Sequence, residues 1–194
     1  MELDSMTFTR KTGFEEIISK NKTASVLDFW RWAFSDLVGN TERGTFAEYL
    51  VALACNVDKN IRISWNAYDL DLENGIKVEV KSSAYIQTWK QSKLSTPIFK
   101  INKTFSWDYV ENKYDNVKKR HADIYVFALL SHQDKKTINP LDTNQWDFFI
   151  INKEELDDKM GDAKQISLNQ ILKLKLIKSN FEDLNDNINK CFLS

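Results

Sequence analysis

The sequence contains few of the residues that build disulfide-rich domains or histidine-based metal sites. Among 194 residues there are two cysteines, Cys55 and Cys191, and two histidines. One cysteine pair provides no disulfide framework, and its spacing fits no zinc motif. Two histidines leave few candidates for a histidine-rich metal site or a histidine-dependent proton relay. Any bound metal is therefore expected to be hard and oxygen-coordinated, and we expect a reducing, cytoplasmic environment.

Long apolar segments and proline-rich linkers are also missing. No apolar run approaches the ~20 residues that cross a bilayer, and residues 1–14 lack the apolar core of a signal peptide. With 42% hydrophobic residues, 28% charged residues and only two prolines, the composition is that of a soluble globular protein. We therefore expect one domain over residues 1–194 and no membrane partner.

A strong excess of charge of one sign is missing as well, because the net charge is −1. This balance argues against a strongly basic nucleic-acid-binding protein. The charges are nevertheless uneven. Residues 77–120 contain ten Lys and Arg against four Asp and Glu, a net charge of +6, whereas residues 141–194 contain seven against ten, a net charge of −3. Such an asymmetry suits a protein that turns one face to phosphates, although lysine-rich segments are more often plain solvated surface.

What the sequence does contain is an acid-rich hairpin pattern within residues 65–87. Residues 68–73 (YDLDLE) and 76–81 (IKVEVK) alternate apolar and charged side chains, as half-buried strands do, and Asn74-Gly75 between them is a turn signal. A two-residue loop would pair polar with apolar side chains throughout. A three-residue loop, Glu73-Asn74-Gly75, with Gly75 in the left-handed conformation, places all six apolar side chains on one face. We therefore predict the second register, which pairs Leu72 with Ile76, Leu70 with Val78 and Tyr68 with Val80.

This register decides what the hairpin acids can do. It places Asp69 opposite Glu79 at a Cβ separation of ~5 Å, where like charges destabilise a cross-strand pair unless a cation lies between them. Lys81, two residues beyond Glu79, projects from the same face. Two carboxylates plus waters are the usual protein share of a Mg²⁺ site, and a neighbouring lysine can orient water or offset charge on a phosphoryl transition state. The pattern predicts a divalent-metal site for phosphodiester hydrolysis.

The alternative is a solvated hairpin face with cross-strand ion pairs, which is our interpretation of Asp71 opposite Lys77. An acid-x-Lys triplet carries little information by itself, because five of them occur in the chain. They start at Glu79, Glu111, Asp134, Asp157 and Asp162. Only the triplet at Glu79 lies on a predicted strand with an acid opposite it, so its context singles it out.

Helix and strand patterns surround the hairpin. A capping box at Thr45 and Glu48 predicts a helix over residues 45–57. An alternative interpretation, compatible with the first, is that Glu48 faces the acidic hairpin and assists the metal site. Residues 122–130 are nearly all apolar, which predicts a central strand buried on both faces, and we interpret the flanking His121 and Asp123 as strand-edge residues. Further helices are predicted at residues 14–20, at 25–38 with its aromatic residues in the core, at 109–120 and after 152, and further strands at 97–102 and 146–151. Together these elements predict an α/β sandwich, a mixed sheet flanked by helices on both sides.

The motif resembles that of the PD-(D/E)XK nuclease superfamily, whose restriction-endonuclease-like fold is a three-layer sandwich with an αβββαβ core. The resemblance rests on Asp69, on Glu79-Val80-Lys81 in the next strand, and on Glu48 in an upstream helix, and it covers roughly residues 45–130. It implies Asp69 and Glu79 as metal ligands, the Val80 carbonyl as a third ligand, and Lys81 as the catalytic lysine. Tyr68 stands where members of the superfamily often have a proline. The expected domain has its core at about residues 45–152, with extra N- and C-terminal helices.

The resemblance implies a Mg²⁺-dependent DNA endonuclease, with Mn²⁺ as a substitute, that acts in restriction or defence against foreign DNA. It also implies Gln87 or Gln91 as counterparts of a glutamine that follows the motif in some members, and with Lys90 and Lys93 these are candidate nucleic-acid contacts. Double-strand cutting with one site per chain would imply a homodimer. A catalytically inactive DNA-binding or assembly module, an unrelated interaction domain, and RNA in place of DNA remain alternatives.

Overall fold

The computed structural model describes residues 8–64, 66–108 and 112–194, and these ranges contain five α-helices and nine β-strands. The helices are α1 (Val26–Phe34), α2 (Asn40–Ala54), α3 (Lys153–Met160), α4 (Leu168–Leu174) and α5 (Leu184–Leu193). The strands are β1 (Leu70–Asp71), β2 (Lys77–Ala84), β3 (Ile98–Lys100), β4 (Trp107–Asp108), β5 (Lys113–Tyr114), β6 (Ile124–Leu130), β7 (Trp146–Asn152), β8 (Gln165–Ser167) and β9 (Ile177–Ser179). No helix of the described residues is long and apolar enough to cross a membrane.

The main sheet is mixed and is centred on β6, all seven residues of which are buried. Its strand order is β1-β2-β6-β7-β9. The β2–β6 pair is parallel, and the other three pairs are antiparallel. Alternate residues of β6 enter different cores, with Val126 on one face and Phe127 on the other. The prediction of a central strand buried on both faces is confirmed, as is the mixed α/β sheet.

Both faces of the sheet are covered. On one face, apolar residues of α2 and α5, such as Leu50 and Ile188, pack against β2, β6 and β7. On the other face, β3 pairs with β8, and this two-stranded sheet packs with α3 and α4 over Phe127 and Phe149. Buried Arg43 ties α2 to β2, because its Nε donates to Ser82 Oγ at 3.2 Å. This contact places the first turn of α2 beside the second half of β2.

The hairpin has the predicted register. Leu70 pairs with Val78 and Asp71 with Lys77, and Gly75 has a φ of 84°, the left-handed conformation that the three-residue loop requires. The ladder ends at Leu70, so the predicted pairings of Asp69 with Glu79 and of Tyr68 with Val80 lie outside it. Tyr68 packs against the opposite core from the other five apolar side chains of the hairpin, which corrects the prediction that all six share one face.

The connection between β2 and β6 differs from the predicted αβββαβ order. Residues 109–120 were expected to form the crossover helix, but Lys113–Tyr114 is a strand that pairs with Trp107–Asp108. Asn112 has a φ of 51°, and this left-handed residue interrupts a helix. The rings of Trp107 and Tyr114 contact edge to face across the pair at 4.7 Å between centroids. Residues 109–111 of the predicted helix lie outside the described residues.

Helix boundaries at the N-terminal side also differ from the predictions. The expected helix at residues 14–20 is extended, and Glu16 bridges to Ser25. The helix expected over 25–38 ends at Phe34, and Gly39 begins α2 as its N-cap instead of ending α1. Every residue of α1 is at least partly exposed, and Trp32 is 84% exposed, so the prediction that its aromatic residues belong to the core is wrong.

The C-terminal third confirms the expected helices and adds two strands that the sequence patterns missed. The three helices α3, α4 and α5 occupy much of the chain after residue 152. The strand β8 completes the small sheet with β3, and β9 forms one edge of the main sheet. Both strands have three residues, which is too short for a period-2 pattern to be recognised.

Candidate functional site

Asp69 lies where the hairpin leaves its ladder. Its N–H donates to Val78 O at 3.1 Å, and its carboxylate Oδ2 accepts the N–H of Val80 at 2.7 Å. The side chain therefore takes the place of a strand partner for Val80. Because Val78 is in a hydrogen-bonded pair with Leu70, the N–H and C=O of Val80 also point toward β1. The Asp69 carboxylate and the Val80 peptide group are thus held together on one side of β2.

Glu79 and Lys81 project from the same face of β2. Their side chains are only 16% and 30% exposed, and the ammonium group of Lys81 donates to Glu79 Oε1. In the neighbouring parallel strand, Tyr125 is the register partner of Glu79. Glu79 and Lys81 therefore lie on a strand that is paired on both sides, with β1 and with β6.

Glu48 reaches the same region from α2 and does not cap the helix. Thr45 lies inside α2, where its hydroxyl donates to Thr41 O at 3.4 Å, so the predicted capping box is wrong. The Glu48 carboxylate, 12% exposed, forms a bidentate ion pair with Arg62, whose Nη2 lies 2.9 Å from Oε1. Glu48 interacts electrostatically with Asp69 and Lys81, and its role at a metal site stays a prediction.

The carboxylates of Glu48, Asp69 and Glu79 interact electrostatically with one another. Burial raises the pKa of Glu79, and the charges of Asp69 and Glu48 add to the rise although Lys81 opposes it. Burial also raises the pKa of Glu48, against the hydrogen bond from Arg62. Burial acts to lower the pKa of Lys81, but the carboxylates of Glu79 and Asp69 outweigh it, so this pKa is raised and the lysine stays charged. Burial is thus the largest cause of the shift at both glutamates.

The acid cluster of Glu48, Asp69 and Glu79 lies between two cavities. The larger has a volume of ≈ 370 Å³ and is lined by Glu48, Asp69 and Arg62, among others. The smaller has a volume of ≈ 120 Å³, and Glu79 and Lys81 form part of its wall. A ligand can therefore approach the carboxylates from either side.

Four residues of this site were missed by the sequence patterns: Arg62, Lys100, His121 and Tyr125. Arg62 precedes the hairpin in a segment without helix or strand periodicity, so nothing in the sequence pointed to it. The other three line the smaller cavity. Burial raises the pKa of Tyr125, and the charge of Glu79 makes a smaller contribution in the same direction. A tyrosine inside an otherwise apolar strand was the available signal, because a buried hydroxyl needs a polar neighbour.

His121 and Asp123 flank β6 as expected but have different roles. Asp123 joins the strands, since its Oδ2 accepts the N–H of Lys77 at 2.9 Å and its own N–H donates to Lys77 O at 2.8 Å. The prediction of a strand-edge residue is confirmed for Asp123. His121 Nε2 lies 2.8 Å from Thr104 O, and its ring lines the smaller cavity beside Lys81.

The candidate nucleic-acid contacts lie beyond the C-terminal end of β2, in a segment without helical structure. Gln87 is buried, and its Nε2 donates to Ala84 O at 3.2 Å. Gln91 holds the loop, since its Oε1 accepts the Gln87 N–H at 2.7 Å and its Nε2 donates to Tyr85 O at 3.1 Å. Lys90 and Lys93 are exposed. A nucleic-acid role for these four residues stays a prediction.

The donor set fits a hard divalent cation. Asp69 and Glu79 supply carboxylates, and the Val80 carbonyl points to the Asp69 side, which together suit a Mg²⁺ ion that keeps several waters. The described residues contain no group of three or more His, Cys, Asp or Glu side chains arranged to hold a metal ion. The metal site expected from the sequence stays a prediction, with Asp69 and Glu79 as its two carboxylates.

No protein-family model matches the sequence, and no curated protein matches it.

Proposed function

We propose that this protein is a divalent-metal-dependent nuclease that hydrolyses phosphodiester bonds. The observation that carries the proposal is the placement of Asp69 beside Val80 and of Glu79 beside Lys81 on β2, with electrostatic interactions among Glu79, Asp69 and Glu48. The hairpin register, a parallel central strand and an acid from a preceding helix all support membership of the PD-(D/E)XK superfamily and a restriction-endonuclease-like fold. We propose DNA as the substrate and restriction or defence against foreign DNA as the setting, on the resemblance of the motif.

In the proposed reaction, Asp69 and Glu79, with the Val80 carbonyl, hold Mg²⁺ or Mn²⁺. The bound metal supplies a Lewis acid for a phosphoryl oxygen and a nucleophilic hydroxide from water. Lys81 is a fixed ammonium group whose hydrogen bonds offset the charge that develops on the phosphoryl oxygens. Glu48 fixes the guanidinium of Arg62 at the wall of the larger cavity, where it attracts a phosphate.

One observation favours the alternative of a catalytically inactive module. Lys81 and Arg62 each form an ion pair with an acid of the cluster, so two of the three carboxylates already have a cationic partner. A metal has to compete with these contacts. If they prevail, the protein binds nucleic acid in a salt-sensitive way without binding Mg²⁺ or hydrolysing the substrate.

The test is cleavage of supercoiled plasmid, single-stranded DNA and RNA with Mg²⁺, Mn²⁺ or EDTA. We expect metal-dependent cleavage that falls about 10²–10³-fold in Lys81→Ala, Asp69→Asn and Glu79→Gln. The matched control for the lysine is Lys136→Ala, from an exposed acid-x-Lys triplet, and Glu182→Gln is the control for the acids. Both controls should cleave as the wild type does. Unchanged cleavage in the Asp69 and Glu79 variants would contradict the proposal. Linear product would additionally indicate two sites acting together, as in a homodimer.

A further inference from the structure

A groove with cationic and aromatic walls lies between the N-terminal segment and the chain that follows α2. Its volume is ≈ 560 Å³, and its lining includes Arg10, Lys11 and Arg62 together with the rings of Phe8 and Trp30. Its described lining contains no carboxylate. We call it the basic groove. Arg10, Lys11 and Arg62, the last of which also pairs with Glu48, make the groove complementary to a polyanion in a protein whose net charge is −1.

The basic groove is continuous with the candidate site. Ile61, Arg62 and Ile63 line both the groove and the cavity of ≈ 370 Å³ that contains Glu48 and Asp69. Arg62 lies at the junction, since its guanidinium pairs with Glu48 and its Nη1 donates to Ser64 Oγ at 3.1 Å. A chain molecule bound in the groove is therefore directed toward the acid cluster.

The N-terminal wall of the groove is held in place by backbone contacts. Leu27 N–H donates to Gly13 O at 2.8 Å, and Val26 N–H donates to Glu15 O at 2.9 Å, which fixes the segment to the start of α1. Gly13 has a φ of 96°, and a Cβ at this position would lie 3.1 Å from the Trp30 ring, so the glycine allows the chain to approach the indole closely. Arg10 Nη1 donates to Lys59 O at 3.3 Å across the groove.

The groove chemistry selects an unpaired nucleic-acid strand. Cations bind the phosphates, whereas exposed aromatic rings such as Phe8, 69% exposed, stack with bases that are not already stacked in a duplex. A volume of ≈ 560 Å³ is that of a site for a small molecule, with room for about one or two nucleotides and too little for a double helix. We propose that the basic groove binds a single-stranded segment and leads it to the site of Asp69 and Glu79. Strand binding in the groove is independent of the proposed nuclease function, whereas delivery of the strand to Asp69 and Glu79 rests on that function.

The test measures binding without metal, so that it does not depend on cleavage. Fluorescence polarisation in EDTA compares a labelled oligothymidylate with a blunt duplex of the same length over a range of salt concentrations. We expect the single strand to bind more tightly. The double variant Arg10→Glu/Lys11→Glu should bind it at least about tenfold more weakly, and its salt slope should fall by about 1.4, since each lost phosphate contact removes about 0.7 on a single strand.

The matched control is Lys20→Glu/Lys22→Glu, the same charge change on exposed residues of the same segment outside the groove. This control should bind the single strand with an affinity close to that of the wild type. That result would distinguish local contacts in the groove from a general effect of the protein's charge. Lys11→Glu alone tests the groove without touching the Arg10–Lys59 contact, and Phe8→Ala, which should weaken binding about tenfold, tests stacking. Equal losses in the groove and control variants, or tighter binding of the duplex, would overturn the inference.

The two proposals fail in different ways. Asp69→Asn and Glu79→Gln should leave strand binding in EDTA intact even if they abolish cleavage. A protein that binds the strand in the groove but cleaves no nucleic acid contradicts the nuclease proposal and leaves the groove assignment standing. A protein that cleaves with metal, but whose groove variants bind and cleave normally, contradicts only the groove.

Discussion

Glutamate has opposite pKa shifts in two regions of the molecule. One region is the acid hairpin around β1 and β2, and the other is the N-terminal segment of residues 8–34. In the hairpin, Glu79 is largely enclosed by the sheet, and burial raises the pKa of its carboxyl group. In the N-terminal segment, Glu15 accepts the backbone N–H groups of Thr12 and Gly13, which lowers its pKa to about 2. Glu79 is therefore a buried carboxyl group beside other charged groups, whereas Glu15 holds a turn.

The apolar residues of the two regions differ in the same sense. Val78 and Val80 of the hairpin are at most 5% exposed, but Phe14 and Trp32 of the N-terminal segment are 80% and 84% exposed. In the hairpin, α2 covers the apolar face. Most of the aromatic surface of the N-terminal segment remains exposed. An apolar pattern therefore identifies core residues only where a second helix or strand packs on them.

The largest expected contrast concerns stability. Phe127 is fully buried and packs on Phe99 at 5.2 Å between ring centroids, so Phe127→Ala should lower the free energy of unfolding by about 3–5 kcal/mol. Trp32→Ala should change it by no more than about 0.5 kcal/mol, because the ring is mostly exposed. Urea unfolding followed by circular dichroism measures both. A comparable loss in the two variants would remove the distinction between the regions.

The second contrast concerns pH. Because the folded-state pKa of Glu79 and of Glu48 is raised, each carboxyl group stabilises the fold in its protonated form, and this contribution is lost as pH rises through the raised pKa. A divalent cation binds the ionised form. Below the raised pKa, Mg²⁺ affinity should therefore increase up to about tenfold per pH unit for each proton displaced.

Isothermal titration of Mg²⁺ from about pH 5 to about pH 8 measures this dependence. Replacing Glu79 by glutamine should abolish most of it. Glu15→Gln should leave it unchanged, because the lowered pKa keeps Glu15 ionised throughout this range and the residue lies in the N-terminal turn. Affinity that is flat with pH in the wild type would contradict the assignment of the buried carboxylates as ligands.

A third contrast isolates the hairpin turn. Gly75 has a φ of 84° and open space around the position of a Cβ, so Gly75→Ala meets only backbone strain and should cost about 1 kcal/mol. Gly44 lies inside α2 with equal space, and Gly44→Ala should instead stabilise the protein by about 0.5–1 kcal/mol. Opposite shifts of the urea midpoint are expected. Two shifts of the same sign would argue against the left-handed turn that sets the register.

The smallest expected effect concerns the solvated side of the hairpin. Asp71 and Lys77 are exposed cross-strand partners, and Asp71 Oδ2 accepts the Tyr68 hydroxyl at 3.2 Å. Asp71→Asn should change the free energy of unfolding by no more than about 0.5 kcal/mol. It should also leave metal affinity within about twofold of wild type. A large loss of metal affinity in this variant would extend the site beyond Asp69 and Glu79.

The hairpin could be predicted because several signals agreed. Alternation, the Asn74-Gly75 turn and the need to bury one face all selected a single register, and the apolar strand β6 was recognisable from its composition. A site role for Glu48 was only one of two interpretations, because Thr45 and Glu48 have the sequence pattern of a capping box. The helix α2 in fact starts at Asn40, so Thr45 does not cap it. The sequence patterns therefore predicted that Glu79 lies on a strand, but not which residues surround it.

The remaining errors have physical causes in long-range contacts. Arg62 pairs with Glu48 across 14 residues without any periodic pattern, so only the folded chain brings them together. Lys100 and His121 meet at the smaller cavity because β3 and β6 converge there. The predicted helix of residues 109–120 is wrong because Asn112 adopts a left-handed conformation and Tyr114 packs on Trp107. Neither the conformation nor the ring contact is visible in a hydrophobicity pattern.

The most direct test of the central claim is a crystal structure of the protein soaked in Mn²⁺, with the metal located by its anomalous scattering. The account predicts one ion that contacts carboxylate oxygens of both Asp69 and Glu79 beside Lys81, with waters completing its coordination. The same ion should be missing in Glu79→Gln crystals. A wild-type crystal in which Mn²⁺ binds elsewhere, while Lys81 and Arg62 keep Glu79 and Glu48, would contradict the account.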